Sequence, residues 1–155
     1  RHGWTALRIT VAYDCLDSAR HLISAGADVN AEDDHRVRPL HHAIEEGYVD
    51  MVQLLLNEGA DLDAPYMGLW SVLHLAAAAN QQDVARLLLN QGIDPNIRDD
   101  SGSTPLHCAA QGGHPKMVET LLDHGADPDL TDQNGKKPLD LAEDEDYDRV
   151  VMLLK

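Results

Sequence analysis

Histidine is the side chain of this sequence best suited to acid–base chemistry or metal binding near neutral pH. Three histidines, His41, His74 and His107, recur at intervals of 33 residues, each inside an apolar stretch such as PLHCAA. The remaining histidines show no spacing typical of a zinc site; they include His21, His42, His114 and His124. We therefore predict no metal site. We interpret the recurring histidine as a side chain that hydrogen-bonds the backbone of an adjoining turn, with a ligand-binding or catalytic role as the alternative.

Acidic residues form the other chemically active group. The segment 140–148 carries six Asp or Glu residues within nine positions, and a carboxylate pair can act as acid and base. No nucleophile elbow, phosphate-binding loop or metal-ligand set accompanies these residues in the sequence. We therefore predict a non-catalytic protein without a cofactor. We interpret the acidic run as a solvated surface at the end of the fold, with a docking patch for a basic partner as the alternative.

The composition narrows the class of protein further. The 155 residues include 12 Lys and Arg against 27 Asp and Glu, which gives a formal net charge of −15. Because so acidic a surface repels a phosphate backbone, we predict no direct nucleic-acid binding. No run of about 18 apolar residues is present, which predicts no membrane insertion. The lack of a secretory signal pattern and the low cysteine content favour an intracellular location, in the cytoplasm or nucleus.

An internal repeat of 33 residues positions these side chains. Five stretches align at this interval without slippage, at 5–10, 38–43, 71–76, 104–109 and 137–142. Three of them carry proline at the second position, which predicts a helix start because the first helical residue needs no free backbone N–H. Second helices are predicted over 49–57, 84–90 and 115–124. A glycine follows each second helix, where a left-handed backbone ends it; these are Gly26, Gly59, Gly92 and Gly125.

The sequence resembles the ankyrin-repeat proteins over essentially its whole length. The clearest unit, Asp99 to Thr131, contains Thr104-Pro105-Leu106-His107 followed by Ala109-Ala110. The resemblance implies an all-α solenoid of stacked antiparallel helix pairs joined by β-hairpin-like fingers. We predict one ankyrin-repeat domain over 1–155, with units at about 1–32, 33–65, 66–98, 99–131 and 132–155. Each unit depends on its neighbours, because none buries its apolar face alone.

The repeat also predicts the state of the two cysteines and of the chain ends. Cys15 belongs to the first unit and Cys108 to the fourth, so three helix-pair spacings of roughly 8–10 Å separate them. A disulfide needs Cα atoms within about 7 Å, and we therefore predict free thiols. The first unit lacks a polar outer face, which leads us to expect further repeats upstream in a longer parent protein.

The third finger departs from the repeat. In the stretch APYMGLWSV, residues 64–72, Tyr66 takes the position that Asp33 and Asp99 hold in other units. Leu69 takes the position of Gly102. We predict a different turn and a more apolar tip for this finger.

The resemblance places a protein-binding surface on the concave side of the solenoid, along the fingers and the adjoining ends of the first helices. The residues that we assign to this predicted stripe are Trp4, Tyr13, Val37, Glu45, Glu46, Met67 and Trp70. Both tryptophans of the chain lie in it, and the chain contains no Phe. Aromatic rings beside carboxylates suit the side chains of Arg and Lys. We therefore predict a monomeric protein–protein interaction module that binds a peptide or loop with basic and apolar residues.

Other interpretations of the same surface stay open. The chain could be a substrate-recruiting segment of a larger multidomain enzyme or ubiquitin-ligase adaptor, or a purely structural scaffold. Trp4 and Trp70 could lie flat on neighbouring fingers and only strengthen the stack. The stretch LISAGADVN, residues 22–30, resembles sites at which asparaginyl hydroxylases modify ankyrin repeats, with Asn30 as the acceptor. The alternative for Asn30 is stabilisation of the turn between units.

Overall fold

The computed structural model describes residues 3–155, which form ten α-helices and one 3₁₀ turn. The helices are α1 Ala6–Ala12, α2 Leu16–Ser24, α3 Pro39–Glu46, α4 Val49–Asn57, α5 Val72–Ala78, α6 Gln82–Asn90, α7 Pro105–Gln111, α8 Pro115–Asp123, α9 Pro138–Asp144 and α10 Asp148–Leu154. The 3₁₀ turn spans Met67–Leu69. No helix among the described residues is long and apolar enough to cross a lipid bilayer.

The helices form pairs, and the pairs stack one on the next. Each odd-numbered helix packs on the helix that follows it, as α1 does on α2. Odd-numbered helices also contact one another in the order α1, α3, α5, α7 and α9, and the even-numbered helices contact one another in the same way. The predicted all-α repeat solenoid is confirmed.

Small and branched apolar residues at matching positions build the core between the pairs. Leu7, Leu40, Leu73 and Leu106 are buried at equivalent positions of successive units. Ala43, Ala76, Ala109 and Ala142 are fully buried at another, and their small side chains let neighbouring helices approach closely. Each helix pair thus buries its apolar residues against the next pair, which is why helices of seven to nine residues persist.

Helix starts and ends follow the local sequence. Proline is the first residue of α3, α7 and α9, as predicted. The glycines that follow the second helices of the first four pairs have φ values between 87° and 92°, a left-handed conformation that only glycine adopts without strain. The predicted helix 49–57 is confirmed residue for residue. The helices predicted at 84–90 and 115–124 differ from α6 and α8 by one or two terminal residues.

The segments before the odd-numbered helices are the fingers, which we number 1 to 5 with the helix pair that follows. Fingers 2 to 5 comprise residues 33–37, 66–70, 99–103 and 132–136. They contain no β-strand among the described residues, so the hairpin-like description applies to their path alone. Finger 3 forms the 3₁₀ turn and an isolated antiparallel bridge between Tyr66 and Trp70. The predicted difference of finger 3 is confirmed, with Met67 63% and Leu69 62% exposed.

The missing aspartate explains why finger 3 folds differently. In finger 4 the Asp99 Oδ1 atom accepts hydrogen bonds from the backbone N–H groups of Ser101 and Ser103, both at 2.9 Å. Asp33 and Asp132 make the equivalent pairs of bonds in fingers 2 and 5. A tyrosine at this position has no acceptor that can close the loop in this way, and the chain adopts a 3₁₀ turn instead.

Candidate functional site

His41, His74 and His107, the bridging histidines, connect successive fingers and helices. The Nδ1 atom of each ring accepts a hydrogen bond from the backbone N–H that precedes its own helix, at 3.1 to 3.2 Å. The Nε2 atom of each ring donates to a backbone carbonyl of the next finger or its base. The acceptors are Ala64 at 3.2 Å, Ser103 at 2.9 Å and Lys136 at 3.1 Å. The predicted role in joining turn to helix is confirmed.

This geometry fixes the charge state of the three rings. A backbone N–H only donates and a carbonyl only accepts, so each ring is neutral with its proton on Nε2. Burial lowers the pKa of each ring, and the bond to the carbonyl oxygen opposes this only in part. Because both nitrogens of these buried rings are engaged, the bridging histidines have no free nitrogen for a metal or a substrate. No group of three or more His, Cys, Asp or Glu side chains in residues 3–155 is arranged to hold a metal ion.

Arg8 occupies the histidine position of the first unit. Its side chain is buried, and Nη2 lies 3.7 Å from Asp33 Oδ2 in the next finger. Its Nε and Nη1 atoms have no hydrogen-bond partner among the described residues. Burial lowers the pKa of Arg8, against the opposing charge of Asp33. Burial alone would raise the pKa of Asp33, but hydrogen bonds from the Val37 and His35 amides and the charge of Arg8 hold it below its usual range.

Trp4 covers this buried charge. The guanidinium carbon of Arg8 lies 4.8 Å from the centroid of the Trp4 ring, which is cation–π distance. The centroids of Trp4 and His42 lie 6.4 Å apart with the rings tilted by 52°. Trp4 nevertheless stays 42% exposed. One side of its ring therefore strengthens the stack, while the rest of the ring remains exposed.

Glu45 and Glu46 lie exposed at the end of α3, one turn after His42. Both carboxylates act on the pKa of His42, although burial dominates and lowers that pKa. Within residues 3–155, neither Glu45 nor Glu46 forms an ion pair. The exposed aromatic side chain of Trp4 and these two unpaired acids therefore share one part of the surface.

Two of the six acids at the other end of the solenoid form ion pairs among the described residues. Lys136 Nζ forms an ion pair with Asp144, and Lys155 Nζ lies 3.2 Å from Glu143 Oε1. The acids of 143–144 are thus partly neutralised by the chain itself.

The other residues of the predicted stripe lie in different environments. Tyr13 caps the end of α1 and is 76% exposed. Val37 is only 7% exposed and belongs to the interior, because the closed loop of finger 2 turns this side chain inward. Val37 is therefore corrected from a surface residue to a core residue.

Trp70 and Met67 belong to finger 3. Trp70 is half-buried and stacks on His74, with ring centroids 6.3 Å apart and planes at 25°. It lines a shallow groove of about 200 Å³ with Ala78, Cys108 and Gln111. Trp70 therefore faces the fourth unit and does not join the cluster around Trp4.

Asn30 holds the turn that leads into the next unit. Its Nδ2 atom donates to the Gly59 carbonyl at 3.1 Å, and its Oδ1 atom accepts from the Asp61 N–H at 2.9 Å. Asn96 makes the same two bonds to Gly125 and Asp127, at 3.1 and 2.7 Å. The stabilising role predicted for Asn30 is confirmed, and its carboxamide is already engaged in the folded chain.

Both cysteines are free, as predicted. Cys15 is exposed, whereas Cys108 is largely enclosed between helices. Burial raises the pKa of the Cys108 thiol to about 12. The thiolate of Cys108 is therefore almost absent at neutral pH, and this residue carries no nucleophilic chemistry.

A stack of five helix pairs with a 33-residue interval defines a helical repeat protein. The family model described as Ankyrin repeats (3 copies) matches residues 1–66, 34–99 and 73–155. The chain therefore belongs to the ankyrin-repeat family, whose domains are generally protein–protein interaction modules and are typically non-catalytic. A comparison with curated proteins finds none that is significantly similar to this chain.

Three residues near the candidate surface were missing from the predicted stripe: Arg8, His42 and Leu69. The 33-residue alignment contains a signal for two of them, because Arg8 replaces a histidine and Leu69 replaces a glycine. Nothing in the sequence marks His42, since its neighbour His41 carries the repeat signal.

Proposed function

We propose that this chain binds a polypeptide segment with basic and apolar residues through the surface formed by Trp4, Tyr13, Glu45 and Glu46, with Met67 of finger 3 as a separate apolar contact. The observation that carries the proposal is the pair of unpaired carboxylates, Glu45 and Glu46, beside the exposed ring of Trp4. A lysine or arginine side chain gains a charge-assisted hydrogen bond from the carboxylates and packs its aliphatic part on the ring.

The exposed aromatic area supplies the apolar part of the affinity. A Trp or Tyr buries 150–250 Å² when fully enclosed, at about 25 cal/mol per Å². The exposed fraction of the residue surface is 42% for Trp4 and 76% for Tyr13. Covering both contributes about 4–7 kcal/mol before the cost of association, which is sufficient for such residues to dominate an interface.

Two alternative functions make different predictions for the same surface. As a substrate-recruiting segment of a larger enzyme or ligase adaptor, the chain would bind its partner through these residues. As a purely structural scaffold, it would bind nothing there. The experiment below separates the scaffold from the other two.

Affinity capture with the purified chain, followed by mass spectrometry and quantification of each captured protein, tests the proposal. We expect Trp4→Ala and Glu46→Lys each to reduce capture of the same protein at least tenfold. The matched control is Glu119→Lys, which reverses an exposed charge on α8 and is expected to leave capture unchanged. Circular dichroism establishes that all variants fold. Equal capture by Glu46→Lys, Trp4→Ala and Glu119→Lys would contradict the proposal and favour the scaffold.

We also propose Asn30 as a candidate for hydroxylation, on the basis of the stretch LISAGADVN. Because the Asn30 carboxamide bridges to Gly59 and Asp61, an enzyme has to open this turn to reach it. Exposure to an asparaginyl hydroxylase should add the mass of one oxygen to the wild type and none to Asn30→Ala. An unchanged intact mass of the wild type would exclude the site.

A further inference from the structure

A cavity of about 620 Å³ lies between the base of finger 3 and the loop that leads into finger 4. Leu69, Ile93 and Ile97 contribute apolar walls, and Asp63 and Asp94 contribute two carboxylates. These residues are separate from the Trp4 surface described above. The cavity is large enough for a long side chain together with part of its neighbour.

The equivalent place one unit earlier is filled by an arginine of the chain itself. Arg38 directly precedes α3, and its Nε and Nη2 atoms donate to Glu32 Oε1 at 3.2 and 3.0 Å. Its Nη1 atom donates to Asp61 Oδ2 at 3.0 Å. The guanidinium thus joins the two loops that flank the base of this helix pair.

A shift of 33 residues carries this arrangement onto the cavity but removes its cation. Arg38 becomes Ser71, Glu32 becomes Pro65 and Asp61 becomes Asp94. Ser71 lines the cavity with Asp94. One carboxylate of the ion-pair network is therefore retained, while the position of the guanidinium is empty.

The fifth unit supplies the same comparison for Asp63. There Lys137 Nζ lies 2.8 Å from Asp129 Oδ1. Two units earlier, Ser71 is equivalent to Lys137 and Asp63 is equivalent to Asp129. Both carboxylates of the cavity thus occupy positions at which this chain binds a cation in another unit. Within residues 3–155, neither Asp63 nor Asp94 has an ion-pair partner.

Leu69 adds an apolar wall at a conformational cost. Its φ is +57°, a left-handed value that is unfavourable for a residue with a Cβ atom. Glycine occupies this position in fingers 1, 4 and 5, as Gly3, Gly102 and Gly135, all with positive φ. Leu69 is nevertheless 62% exposed, so packing within the chain does not account for it.

We propose that this cavity receives an arginine side chain of a partner protein, next to an apolar residue of the same segment. The guanidinium takes the place that Arg38 holds one unit earlier and donates to Asp94 and Asp63, while the apolar residue packs on Leu69. Arginine fits better than lysine because its planar fork serves two carboxylates from separate loops at once. This inference rests on the proposed function, since it adds a second contact for a basic and apolar partner, but it depends on different residues.

A titration with the peptide acetyl-Leu-Arg-Leu-amide, followed by ¹⁵N NMR of the full chain, tests the assignment. We expect saturable shifts of the amides of residues 91–97, with a Kd of about 1 mM for a ligand of this size. Asp94→Asn should weaken binding about tenfold. The carboxamide oxygen of the new residue can still accept the Asn96 N–H, which donates to Asp94 Oδ1 at 2.8 Å, so the turn is retained.

Asp127→Asn is the matched control. Asp127 is the equivalent residue one unit later, and its Oδ1 atom accepts the Asp129 N–H at 2.9 Å. It does not line the cavity, so this substitution should leave the Kd unchanged. Shifts outside 91–97 alone, or equal affinities of Asp94→Asn and Asp127→Asn, would overturn the assignment.

Three further ligands define the chemistry. Acetyl-Leu-norleucine-Leu-amide should not bind, and both acetyl-Leu-Lys-Leu-amide and free arginine should bind several-fold more weakly than the arginine peptide. Equal binding of the norleucine or lysine peptide would overturn arginine recognition, and equal binding of free arginine would overturn the assignment to a polypeptide. Glu46→Lys should leave this titration unchanged, so the result is independent of the Trp4 surface.

Discussion

Removal of the His107 ring tests whether the bridging histidines hold successive units together. The ring is 1% exposed and makes two hydrogen bonds with the backbone, from the Thr104 N–H and to the Lys136 carbonyl, each 3.1 Å long, and its Nδ1 atom also lies 2.9 Å from Thr104 Oγ1. His107→Ala loses both bonds, at about 1 kcal/mol each, and leaves a cavity that costs about 1–2 kcal/mol more. We expect unfolding to become easier by about 3–4 kcal/mol, a large share of the 5–15 kcal/mol typical of a folded domain.

A second variant separates the two bonds of the ring. In His107→Asn the shorter side chain can accept the Thr104 N–H, much as Asp140 Oδ2 accepts the Lys137 N–H at 2.7 Å in the last unit. It cannot reach the Lys136 carbonyl, so we expect a loss of about 1–2 kcal/mol. The control is His21→Ala, because His21 is exposed and bonds only to Asp17 of its own helix among the described residues. Its loss should stay within about 0.5 kcal/mol.

Urea unfolding followed by circular dichroism measures these losses. At a slope of about 2 kcal/mol per M, the His107→Ala midpoint should fall by about 1.5–2 M. Because each unit depends on its neighbours, amide hydrogen exchange should show the greatest loss of protection in α9 and α10, beyond the broken bridge. Equal midpoints for His107→Ala and His21→Ala would refute the bridging role, as would unchanged protection in the last helix pair.

Three other predictions follow from burial and backbone geometry. Burial lowers the pKa of His107 below the unfolded value of about 6.5. The contribution of the His107 ring to the free energy of unfolding is therefore complete above about pH 6.5 and declines as the pH falls toward the folded pKa. The difference in free energy of unfolding between the wild type and His107→Asn should narrow from about pH 7.5 to 5.5 in urea titrations. A constant difference would contradict this. Iodoacetamide should label Cys15 and spare Cys108, whose pKa burial raises to about 12, so Cys15→Ser should stay unlabelled until urea unfolds the chain. Leu69→Gly removes a backbone strain of about 1–2 kcal/mol, while glycine raises the conformational entropy of the unfolded chain at a cost of about 0.5–1 kcal/mol. The thermal midpoint of Leu69→Gly should therefore equal or exceed that of the wild type. Gly102→Leu should lower the thermal midpoint.

The repeat architecture could be predicted because its signals are local and periodic. Proline before the first helix and glycine after the second mark each unit, and both act through backbone conformations that depend on the residue itself. The helix 49–57 was predicted from its dense apolar residues and from Gly59 after its end, and it matches α4 residue for residue. The 33-residue interval then fixed the order of stacking, because equivalent apolar faces can be buried only against one another.

Finger 3 shows where this reasoning stops. The replacement of the repeated aspartate by Tyr66 predicted a different turn. It did not predict that His41 would donate to the Ala64 carbonyl, whereas His74 and His107 each donate to a carbonyl 29 positions ahead. The acceptor depends on where the altered loop brings its carbonyls. Val37 is a similar case, because the inward turn of finger 2 decides its burial and residue type does not.

The class of fold, the helix pairs and the general character of the surface could be predicted from the amino-acid sequence, since these depend on local conformational preferences and on a repeated apolar pattern. Which acids are unpaired could be read only from the folded arrangement of the chain. Glu45 and Glu46 are unpaired, whereas Asp144 and Glu143 are held by Lys136 and Lys155. The amino-acid composition does not distinguish these four acidic residues. The strength of an ionic interaction depends on the distance and solvent exposure of groups that the fold brings together.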